Sequence, residues 1–149
     1  MSKQEEAGLI LKLYELRREE VMRKARSWMA SEFNPQSIED IEKAVFGEHS
    51  AYYRMVLSYW EMACSFVTNG AIDAQLFNDA NGEHIFHFAK LQPFLKELRE
   101  KNGTPNAYQN LEKVVMAIPD IDARLEVTRV NIKRIAARRA LAADQSLRV

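Results

Sequence analysis

The side chains of this sequence that could do chemistry gather in three places. The first is Glu83, His84 and His87, where the histidines are three residues apart and Glu83 precedes His87 by one helical turn, so the group shares one face. Imidazole and carboxylate at that spacing are ligands for zinc or iron. A metal centre in a helical bundle, however, takes its ligands from several helices, often through paired Glu-x-x-His segments, and this chain has no such motif. The expectation is therefore surface and rim histidines, with no metal and no other cofactor.

The second place is Glu61, set between Trp60 and Met62 in the most apolar stretch of the chain. A carboxylate there needs a partner or a raised pKa, so Glu61 reads either as half of a buried ion pair or as an exposed member of a polar stripe. Cys64 has apolar neighbours and no adjacent base, which describes an inert core thiol rather than a nucleophile. The third place is the cationic run Arg129, Lys133, Arg134, Arg138 and Arg139, which could meet a polyanion, either nucleic acid or an anionic membrane surface. Against that contact stand a sequence pI of about 6.8, no aromatic interleaved among the C-terminal arginines and no helix-turn-helix pattern. No Gly-rich phosphate loop, nucleophile elbow, metalloprotease helix or zinc-finger spacing is present, so the sequence leans away from an enzyme.

The elements that must position these residues all read as helices. From Ser50 to Gly70 the polar residues Arg54, Ser58, Glu61 and Ser65 recur at spacings of four, three and four, a narrow stripe on an otherwise apolar helix that neighbours must cover. That stretch reads as the central helix, capped by Ser50 and closed by Asn69-Gly70. A capping box at Ser2 and Glu5 opens a long first helix to about Phe33. Ser37 and Asp40 begin a short one that Gly47 ends, and Asp73 caps two turns before Asn81-Gly82. Helical spacing resumes from Glu83 to Lys101, with Pro93 expected to kink the helix or divide it near Leu91. Thr104-Pro105 and Pro119-Asp120 start the last two helices, and the tail 144–149 is expected to fray.

Length and charge set the class. One core suits 149 residues, and neither a strand alternation nor a repeat of fixed period is present. The expected architecture is an all-α, single-domain bundle over residues 1–149, of six or seven helices around a central helix at 50–69. Its long first and last helices, each roughly 40 Å, would overhang the core and lead to a homo-oligomer, most simply a dimer. Charge balances at 21 basic and 21 acidic side chains, yet unevenly: seven basic against five acidic in residues 1–30, seven against thirteen in 31–120, seven against three in 121–149. A single cysteine, no secretory signal and no run of about 18 apolar residues point to a cytoplasmic protein without a transmembrane segment.

At Tyr59 to Asp73, YWEMACSFVTNGAID, and again at Leu91-Gln92-Pro93-Phe94, the chain resembles a family of uncharacterised bacterial helical proteins, a domain of unknown function. In that family an aromatic-Glu pair on a core helix precedes a Gly-apolar-apolar-Asp turn and a later Leu-x-Pro segment. Here Trp60-Glu61 is the pair, and Gly70, Ala71, Ile72 and Asp73 form the turn through a small residue. Members often begin with a membrane-spanning segment, where this chain has a charged helix. The resemblance implies the fold and attaches no catalytic residues. The function expected is a non-enzymatic protein-interaction module that self-associates; a small nucleic-acid-associated or regulatory protein using the basic terminal helices is the alternative, and an enzyme or metal-binding bundle the third.

Overall fold

The computed structural model describes residues 1–148. Among them eight helices and no strand occur: α1 (Lys3–Leu16), α2 (Glu20–Ser31), α3 (Ile38–Phe46), α4 (Ser50–Thr68), α5 (Ala74–Ala80), α6 (Glu83–Asn102), α7 (Gln109–Met116) and α8 (Ile121–Leu147). Helix α4 is the expected hub. Tyr53, Val56, Leu57, Trp60, Ala63 and Cys64 are buried against α2, α3 and α7, while Arg54 and Ser58 face solvent and Glu61 and Ser65 are half-buried. Its end is fixed by Gly70, whose φ of 81° lets the chain turn so that Ala71 and Ile72 N–H groups both donate to the Phe66 carbonyl.

Four boundaries differ from expectation, each for a local reason. At the start of α4 the capping position falls to His49, which makes no side-chain cap bond, while Ser50 lies inside the helix and donates its Oγ–H to the Val45 carbonyl. The single helix expected to Phe33 is two helices, because the Glu19 carboxylate turns back to accept from the N–H groups of Val21 and Met22, at 3.1 Å each, and starts α2 afresh. Helix α1 is therefore about 21 Å long rather than roughly 40 Å. It is tied to the start of α5 through buried Glu6, which accepts from the Asp73 N–H at 2.7 Å.

Pro93 leaves α6 whole. Proline at that position removes the donor for the Ala89 carbonyl four residues earlier, the defect from which a break was expected. Arg129, from α8, donates its Nε–H to that same carbonyl at 3.0 Å. The next helix begins at Gln109 rather than at Thr104-Pro105, after Tyr108 adopts a left-handed φ of 59°.

Helix α8 is the long one, about 40 Å. Ile121 and Leu125 are buried and Thr128 and Ile132 half-buried, but Ile135 is 44% exposed, so the inner line leaves the core as it proceeds. The helix is continuous to Leu147, with an Arg148–Asp144 pair at 3.1 Å and Ser146 Oγ donating to the Ala142 carbonyl. Val149 lies outside the described residues. No helix among these residues is long and apolar enough to cross a membrane.

Candidate functional site

Helix α6 carries two inward-facing charges seven residues apart, half-buried Glu83 and buried Lys90, and α2 lies against both. Seven residues are two helical turns, so the two side chains leave one face. Glu83 receives the Arg26 Nε–H at 3.0 Å from each carboxylate oxygen and the Trp60 indole N–H at 3.2 Å, with Arg17 Nη1 3.7 Å away. One carboxylate thus joins α4, α6, α2 and the end of α1. Burial pushes this carboxyl up, but contact with His87 and the Arg26 guanidinium outweighs it and holds the group at about 2.

His84 and His87 are buried, not rim residues. His84 Nε2 lies 2.8 Å from Asn78 Oδ1 and its ring packs on Trp60 and Phe77, while His87 Nε2 is 3.8 Å from Glu83. Burial pulls both imidazoles down, His84 to about 3 with help from the Arg124 charge, so both are neutral near pH 7. The neutralising charge on Glu83 at that pH is then supplied by Arg26 and Arg17. Of the three possible metal ligands, Glu83 and His87 approach to 3.8 Å while His84 faces an amide, and among the described residues no three His, Cys, Asp or Glu side chains form a group that could hold a metal ion.

Lys90 is the residue that sequence reasoning missed. Its ammonium reaches the C-terminal end of α2 and donates to the carbonyls of Met29 and Phe33 at 2.7 Å each, with Ala30 at 3.4 Å. Those carbonyls carry the negative end of the helix dipole, which favours a cation there. Phe86 lies beneath it at 4.4 Å from the ring centroid. Burial, reinforced by the Arg139 guanidinium, pulls the ammonium down to about 7. A lysine two turns after an inward carboxylate, between Ala89 and Leu91, was the available signal.

Beside Lys90 a cleft of about 560 Å³ opens between α6, α8 and the turn at 34–36. Pro35, Pro93, Phe94 and Val130 give it apolar walls, and Arg129 and Lys133 line it from α8. Arg129 is fixed there by its bonds to Ala89, to Gln92 Oε1 at 2.6 Å and to Glu126 at 2.7 Å.

Glu61 has a partner of an unexpected kind. Its carboxylate accepts from the N–H groups of Asn110 and Leu111, at 3.0 and 2.9 Å, and from Asn110 Nδ2 at 2.7 Å. It caps the N-terminus of α7, where Tyr108 offers no side-chain cap, and so replaces the expected ion pair by a helix end. Cys64 is buried next to this carboxylate, and burial with that charge pushes its thiol up to about 12, an unreactive state. Of the cationic run, Arg129 is engaged as above and Arg139 Nη1 approaches the Ala30 carbonyl at 3.3 Å; Lys133, Arg134 and Arg138 are exposed on α8.

These features define an all-helical bundle whose buried and half-buried charges join helices, with a cationic cleft between α6 and α8. The chain belongs to the family described as Domain of unknown function (DUF4760), whose model matches residues 4–117. That match takes in α1 to α7, including the segments at 59–73 and 91–94, and α8 follows it. No curated protein and no solved structure matches the chain.

Proposed function

We propose that this chain is a non-enzymatic helical interaction module that pairs with a second copy of itself through the outer half of α8. The observation that carries this reading is the state of that helix. Its first turns are anchored in the core, while beyond it Ile135 and Leu141, at 44% and 61% exposed, stand uncovered on two different faces of the helix among exposed Arg134 and Arg138. Isolated helix of this kind is marginal in water and gains most of its stability from packing, so a covering partner is the economical arrangement. The positive excess of residues 121–149 and the negative excess of residues 31–120 supply complementary charges for two copies. A cytoplasmic setting agrees with one buried thiol and no disulfide, and a bacterial origin rests on the family resemblance.

Size exclusion with light scattering tests the pairing. The expected mass is twice the 17.2 kDa of one chain, returning to a single chain in the full-length double variant Ile135→Glu, Leu141→Glu with its helical circular dichroism intact. A wild-type monomer at high concentration overturns the reading. A salt-dependent gel shift on mixed DNA and RNA, abolished by Arg134→Gln with Arg138→Gln, would replace it with the nucleic-acid alternative.

A further inference from the structure

Clefts of ligand size normally combine apolar walls with a few polar groups that fix orientation, and the space between α6 and α8 has that composition. Its charge is unusual in being one-sided. Lys90 is buried at one side, Arg129 is held rigidly on another and Lys133 stands at the solvent side. The one carboxylate lining the cleft, Glu126, is bound to Arg129 at 2.7 Å. Among the described residues Lys90 has no carboxylate partner; backbone carbonyls alone receive it, and they bring partial charge rather than a full negative one. The cleft therefore holds three basic side chains, Lys90 among them only partly charged near pH 7, against one carboxylate, with Pro35, Pro93, Phe94 and Val130 around them. A larger cleft of about 710 Å³ between α5, α7 and the start of α8 has a smaller excess, Lys113 and Arg124 against Asp79, and no buried charge lines it.

We propose that the cleft between α6 and α8 binds a small amphipathic anion, an apolar body ending in one carboxylate or phosphate group, with the head group at Lys133 and Arg129 and the body against Phe94, Pro93 and Val130. Three features define how such a molecule is read. Arg129 cannot swing away, because Ala89, Gln92 and Glu126 hold it, so its remaining N–H groups present a fixed direction. Lys133 is exposed and free to close over the head group. Lys90 does not need to bond the ligand: it lines the cleft from its buried side, where water screens it less, and its charge favours an anion over a neutral molecule of the same shape. The depressed ammonium of Lys90 adds a signature, since a bound anion favours its charged form and binding draws in protons near neutral pH.

Isothermal titration of the full chain with sodium octanoate, octyl phosphate, octanol and inorganic phosphate tests this at fixed ionic strength. Saturable one-to-one binding of octanoate or octyl phosphate is expected, and the stronger of the two names the head group. Octanol and inorganic phosphate are expected to bind at least about tenfold more weakly. Heat measured in two buffers of different ionisation enthalpy should report proton uptake near pH 7. Lys133→Gln, on an exposed position, should weaken binding about tenfold, and Ala136→Trp, also exposed, should block it by filling the cleft, each with the wild-type unfolding midpoint. Equal binding of octanol, equal binding of inorganic phosphate, no binding of any probe, or binding untouched by both variants would each overturn the proposal. Chain mass in the presence and absence of octanoate separates this result from self-association, which does not depend on it.

Discussion

Glu83, half-buried, and Lys90, buried, are two charges on the same face of the same helix, and their surroundings differ in kind. Glu83 is matched by full opposite charges, with Arg26 and Arg17 converging on it and the Trp60 N–H completing the set. Lys90 is matched only by the carbonyl end of α2, and an open cleft lies on its other side. Both grip α2, one in the middle through Arg26 and one at the last turn. The difference teaches where this molecule has chemistry to spare. A carboxylate neutralised by guanidiniums is a finished structural joint, whereas an ammonium neutralised by helix carbonyls leaves a positive field for something else to answer.

Breaking the joint should have the largest effect. Glu83→Ala leaves Arg17 and Arg26 partly buried with no counter-charge, and a loss of about 3–5 kcal/mol in urea unfolding is expected. A loss under about 1 kcal/mol would mean that solvent already screens the cluster and that the two charges are not so different. Next comes Arg129→Met, which returns the Ala89 carbonyl to an unpaired state and frees α8; about 1–3 kcal/mol is expected, with amide exchange accelerated in residues 90–94. Wild-type exchange there would show that water serves that carbonyl equally well.

The smallest effect sharpens the comparison through pH. A carboxyl at about 2 when folded and 4.5 otherwise contributes stability that is complete above 4.5 and lost as the pH falls towards 2. His84, at about 3 against 6.5, acts in the same direction, because between those values only the unfolded chain holds the proton. Lys90, at about 7 against 10.5, is deprotonated first in the folded chain, so stability rises with pH across that window. Lys90→Met should cost only about 1 kcal/mol at neutral pH and should remove the alkaline rise while keeping the acid loss. An alkaline rise that persists in this variant would assign it to another group.

Much of the fold was legible because its signals are local. The narrow polar stripe of α4, the caps Ser37 and Asp73 and the turn at Gly70 each depend on residues within a few positions, and each stands where the spacing placed it. The failures share the opposite property. A break at Arg17–Glu19 depends on a glutamate acting as a cap, a residue with weak preference for that position, and the continuity of α6 depends on Arg129, which lies forty residues from the carbonyl it serves. The site was less legible than the fold. Spacing grouped Glu83, His84 and His87 correctly on one helical stretch, but whether they face a metal or two arginines is decided by α1 and α2, more than fifty residues away in sequence. Glu61 was singled out for the right reason, a carboxylate in an apolar stretch, while its partner proved to be the start of α7 rather than a cation.

Pro93 and Arg129 also set an order in time. The chain emerges from the ribosome N-terminus first, and all of α6 is made before the residue that completes its hydrogen bonding. Until Arg129 follows, water must occupy the Ala89 carbonyl, and the middle of α6 stays open to solvent on the side where α8 will lie. Synthesis of the last helix is thus the step that seals an earlier one, and a nascent chain halted before residue 129 would retain a hydrated gap in the wall of its own cleft.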